Sequence, residues 1–137
     1  MNVRHTLVSL GIFSFLLVAA APVLAEDNPF QAIHMAANRK QYTGKGCPVE
    51  TIFSATITFV QPLPKGFLFN YHWERSDGGK SAVKMVRPAA SQRSMVLRET
   101  WKAGKAGQHY DLSMTFFANS GNTHLSETSP AVSITCR

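Results

Sequence analysis

Residues 53–60 alternate strictly. Phe53, Ala55, Ile57 and Phe59 are apolar, while Ser54, Thr56 and Thr58 carry hydroxyls and Val60 closes the second row. Successive side chains of a strand point to opposite faces, so a period of two presses one row against a core and leaves the other in water. A helix would scatter the same residues around its circumference. The pattern returns at 67–74, where Phe67, Phe69, Tyr71 and Trp73 oppose Leu68, Asn70, His72 and Glu74. Four aromatics on one face make this strand the expected centre of the core, with Trp73 buried.

Three later stretches repeat the alternation. Met95, Leu97 and Trp101 oppose Ser94, Val96, Arg98 and Thr100; Tyr110, Leu112, Met114 and Phe116 oppose Asp111, Ser113 and Thr115; Val132, Ile134 and Cys136 form a final strand. Residues 81–87 read as a short edge strand with charged outward positions, and residues 30–37 as a looser strand whose alanines are also compatible with a short helix. Between these runs lie the breaks. Gly44 and Gly46 mark 43–46 as a turn, Pro62, Pro64 and Gly66 end the strand before them, and Ser76 to Gly79 is a turn rich in residues that tolerate positive φ. Residues 88–92 connect two strands, Lys102 to Gly107 (KAGKAG) reads as a basic hairpin loop, and Asn119 to Pro130 as a long polar loop. The expectation is an all-β domain of about seven short strands. Each sheet has one apolar face to cover, so a β-sandwich is the economical arrangement, with a small barrel as the alternative.

The N-terminus bounds where this domain works. Arg4, the apolar run from Leu7 to Ala20 and the small-residue ending AAAPVLA form a three-part secretory signal, with Val23 and Ala25 placing the cut after residue 25. The run is interrupted by Ser9, Gly11 and Ser14 and is too short for a membrane-spanning helix, so stable membrane insertion is not expected. Residues 1–25 are thus a cleaved signal peptide and 26–137 a single domain, periplasmic or secreted. Of 14 Lys and Arg only Arg4 lies in the leader, which leaves 13 against 8 Asp and Glu and a net charge of +5. Such a charge favours anionic partners without naming one. The two cysteines, Cys47 and Cys136, form an even pair in an exported chain and read as one disulfide tying the first third of the domain to its last strand.

Cys47-Pro48-Val49 opening a strand, the block from Tyr71 to Gly78 (YHWERSDG), Trp101 and Cys136 together resemble small secreted bacterial domains of the immunoglobulin-like or fibronectin type III-like kind. The resemblance covers most of residues 45–137 and implies an immunoglobulin-like β-sandwich. Immunoglobulin domains proper pair their cysteines between the second and sixth strands, and here the second cysteine lies in the last. The resemblance brings no catalytic residues with it, because such folds serve many unrelated tasks.

Chemistry-bearing motifs are few. His34, His72, His109 and His124 form no H-x-x-H or H-E-x-x-H, although His72 and His109 lie on strands that a sandwich can pair. Ser76, Asp77 and Glu74 are accounted for by a turn, and no G-x-S-x-G or phosphate-loop pattern occurs. Nothing in the chain reads a nucleic-acid groove, and no cofactor is called for. Arg98, Trp101, Lys102 and Lys105 remain as a possible binding cluster in which cations converge beside an aromatic edge. The functional expectation is a non-catalytic binding module contacting a protein or an anionic envelope component through its loops. An inhibitor of a secreted hydrolase, protease or lysozyme, is the alternative, and an envelope-stress or virulence context accommodates either.

Overall fold

The computed structural model describes residues 28–137, so the secretory signal expected at 1–25 lies outside the described residues. Ten strands follow in order: β1 (Phe30–Ala37), β2 (Gln41–Gly44), β3 (Val49–Phe59), β4 (Phe69–Arg75), β5 (Lys84–Val86), β6 (Ser94–Ala103), β7 (His109–Leu112), β8 (Met114–Ser120), β9 (Thr123–Thr128) and β10 (Val132–Cys136). They make three sheets ordered β1-β3-β6, β2-β10-β7 and β5-β4-β8-β9. No described helix is long and apolar enough to cross a membrane.

The alternating rows supply the core as their period requires. Phe53, Ala55 and Ile57 of β3 are fully buried, and Phe69 and Trp73 of β4 nearly so. Across the β4–β8 pair Trp73 meets Phe116 edge-on at 4.7 Å, and between the sheets Phe30 meets Phe69 edge-on at 5.4 Å. Each fully buried large apolar side chain contributes about 1.5–3 kcal/mol. The hydroxyl row of β3 faces outward, with His34, Thr56 and Val96 aligned across β1, β3 and β6.

Cys47 and Cys136 are bonded, with Cα atoms 6.1 Å apart and 89 positions between them. A loop of that length confers about 2–4 kcal/mol on the folded state through the unfolded chain.

The structure departs from the alternation reading in four places. Residues 43 and 44 belong to β2, which runs parallel to β10, and are not a turn. Gly44 and Gly46 make room for Tyr42, whose hydroxyl accepts a hydrogen bond from the Gly46 N–H at 3.0 Å. The run 110–116 is two strands: β7 pairs with β10, then the chain crosses Ser113 and β8 pairs with β4 and β9. Residues 119–130 are not one loop, because Ser120 and Thr123 face each other across a two-residue turn that starts β9. Finally, Lys102–Gly107 is not a hairpin loop, since β6 and β7 belong to different sheets and the segment crosses between them.

Candidate functional site

Trp101 lies near the end of the inward row of β6, followed there only by Ala103, and is buried on the core side. Its exposed side is covered by Arg75, whose guanidinium carbon sits 5.0 Å from the ring centroid. Arg75 is held there by the turn that follows β4. Its Nε donates to Asp77 Oδ1 at 3.1 Å, and the same Asp77 oxygen accepts from the Gly79 N–H at 2.9 Å. Ser76 anchors the turn to the break between β7 and β8, accepting from the Ser113 N–H through its Oγ and donating its own N–H to Ser113 O. The RSDG segment therefore aims a cation at an indole as well as reversing the chain.

The crossover from Lys102 to Gly107 is fastened to the disulfide. A Cβ on Gly104 would lie 2.7 Å from Cys136 Sγ and 3.3 Å from Cys47 Sγ, and Gly104 has φ +117°. Only glycine fits a backbone so close to the sulfurs in that conformation. The Gly107 N–H donates to Cys136 O at 3.0 Å, and the Cys136 N–H donates to Gln108 O at 2.9 Å. Loop, disulfide and last strand are thus one rigid unit.

Between this unit and the RSDG turn lies an open groove of about 490 Å³. Trp101, Lys102, Lys105 and Arg75 line it together with Tyr110, Asp77 and Asp111. Lys102 and Lys105, both exposed, make no ion pair among the described residues, whereas Asp77 is paired with Arg75 and Asp111 lies 3.3 Å from His109 Nε2, so two lysine charges stand against the one carboxylate of Asp111. The groove's uncompensated charge is therefore positive. Of the four residues singled out from the sequence, it gathers Trp101, Lys102 and Lys105. Arg98 is not among them: it points from the outer face of β6, opposite Ser54 of β3, with Leu97 and Glu99 turned the other way. The cation beside the aromatic is Arg75, which sequence spacing missed because its 26-residue separation from Trp101 carries no periodic signal.

The histidines do not assemble. Among the described residues no three His, Cys, Asp or Glu side chains come together. His72 and His109 do not lie on paired strands; β4 and β7 are in separate sheets. His72 stacks on Phe117 at 4.6 Å and contacts Glu74 at 3.3 Å. Glu74 also accepts from Lys80 Nζ at 2.9 Å, and that bond, more than the His72 contact, lowers its carboxyl below the ordinary 4.5 against the opposing effect of desolvation. A second cleft of about 490 Å³, between Pro29, Val60, Leu63, Pro64 and Phe67, has no charged lining residue. No protein-family model and no curated protein matches the chain.

Proposed function

We propose that this chain is a non-catalytic, immunoglobulin-like binding module of the periplasm or cell exterior, and that the groove beside the disulfide receives a protein or an anionic envelope component. The observation that carries the reading is a rigid, disulfide-fastened groove with two unpaired lysines beside a buried tryptophan. A preorganised surface loses little conformational freedom when it binds. A disulfide also accords with an oxidising compartment, where such bonds persist.

The immunoglobulin-like description is supported by strand register. Thr115 faces Thr128 and Leu112 faces Val132, so β7–β8 and β9–β10 run side by side as one long hairpin with one extra residue on the second side. That irregularity has the character of a β-bulge. Joined in this way, β5-β4-β8-β9 continues into β7-β10-β2, opposite β1-β3-β6, as two layers. Non-catalytic action accords with a groove in which Asp77 is held by Arg75 and the Gly79 N–H. Against the inhibitor alternative, the KAGKAG segment is tied down at both glycines, Gly104 against the disulfide sulfurs and Gly107 through its N–H to Cys136 O, and Lys102 to Lys105 form a wall of the groove.

The test is capture from an envelope fraction using the disulfide-intact protein as bait, beside the K102E/K105E variant. A partner retained by the wild type and lost by the variant is the expected result. Equal retention by both removes the groove as the contact surface.

A further inference from the structure

A different corner of the domain holds a more purely cationic pocket. It lies between the β1–β2 connection and the β9–β10 connection, has a volume of about 230 Å³, and includes His34, Arg39, Lys40, Pro130 and Ala131 in its lining. No Asp or Glu lines it. Arg39 and Lys40 make no ion pair among the described residues, and Arg39 Nε is shut away from solvent without a hydrogen-bond partner. Arg75, Lys80 and Lys84, by contrast, have carboxylate partners: Arg75 Nε meets Asp77, Lys80 meets Glu74, and Lys84 lies 3.8 Å from Glu99. The Arg39 guanidinium is steadied by Tyr42, 5.9 Å from its ring centroid.

Two cations in one pocket with no carboxylate lining it repel each other, and an anion seated between them relieves that repulsion. The fixed fork of a guanidinium matches the paired oxygens of an oxyanion, and a neighbouring ammonium adds a point charge. The pocket volume is several times the roughly 30 Å³ of a water molecule, which leaves room for a small tetrahedral ion. We propose that Arg39, Lys40 and His34 form a binding site for a phosphate-type oxyanion, free or as a headgroup. The site is separate from the groove, so the failure of either leaves the other standing.

The test titrates inorganic phosphate into the disulfide-intact protein in a phosphate-free buffer, followed by calorimetry and by ³¹P line broadening. Saturable binding is expected, weakened at least about tenfold in R39Q/K40Q, as loss of charged hydrogen bonds predicts. R39K, which retains the charge and loses the fork, falls between them. The charge-matched K65Q/R93Q, altered outside the pocket, binds as the wild type does, and circular dichroism verifies that each variant is folded. Vesicles of phosphatidic acid in phosphatidylcholine separate the sources: retention competed by inorganic phosphate identifies a headgroup, and phosphate binding without vesicle retention identifies the free ion. Absence of saturable binding up to roughly tens of millimolar phosphate, an affinity too weak for a built site, overturns the proposal, as does unchanged affinity in a folded R39Q/K40Q.

Discussion

Replacing Gly104 with alanine tests whether the crossover is fastened to the disulfide. The new methyl group would meet Cys136 Sγ at 2.7 Å and Cys47 Sγ at 3.3 Å, with the backbone at φ +117°. Holding a non-glycine residue in a sparsely populated backbone region costs about 1–3 kcal/mol, and forcing an extra carbon into a packed site costs about another 1–3 kcal/mol. Gly107 provides the control, because it has φ +78° and nothing within 4 Å of the position its Cβ would take. Gly107→Ala should therefore lose only the backbone part, about 1–3 kcal/mol. Urea unfolding under non-reducing conditions measures both, with the denaturant slope checked for constancy. G104A is expected to exceed G107A by about 1–3 kcal/mol, the contact part alone. Losses equal to within about 0.5 kcal/mol, the size of an ordinary surface effect, would refute the close packing of loop on disulfide.

Three further outcomes follow from the same geometry. Trp73→Ala empties the space against Phe116 and should cost about 3–5 kcal/mol in the same assay; a loss below about 1 kcal/mol is not what a buried indole gives. Protein from its native compartment should have a mass short of the dithiol form by two hydrogens, and reduction should lower stability by about 2–4 kcal/mol. Glu74 should titrate below 4.5 by NMR, and Lys80→Met should move it upward. Because its folded value is lowered, the stabilisation from its bonds is complete above the unfolded value and disappears as pH falls through the folded one.

What the sequence revealed is what alternation encodes. β3, β4 and β10 stood out because each has a buried row, β6 because its half-buried inward row ends near the buried Trp101, and β5 because its outward positions are charged. Cysteine parity identified the bond between Cys47 and Cys136. β2 escaped because its glycines accommodate a ring four or fewer residues away, a contact that reads as a chain break. The division at Ser113 escaped because the inward row runs on unchanged through Tyr110, Leu112, Met114 and Phe116 while the hydrogen-bond partner changes. β9 has almost no buried row to betray it, yet Gly121-Asn122 between Ser120 and Thr123 is a two-residue hairpin signal that was available. At the groove, Lys102, Lys105 and Trp101 were legible as neighbours in sequence. Arg75 was not, since its place over the indole depends on how a distant turn folds back.

The most direct test of the groove is a titration of the captured partner against the wild type and K102E/K105E, at low and at physiological ionic strength. Both lysines are exposed and unpaired among the described residues, so their reversal should change stability by less than about 0.5 kcal/mol. Wild-type affinity should fall as salt shortens the screening length to about 8 Å, and the variant should bind more weakly at both salt concentrations. Unchanged affinity in the folded variant at both concentrations would contradict the assignment of this groove as the binding surface.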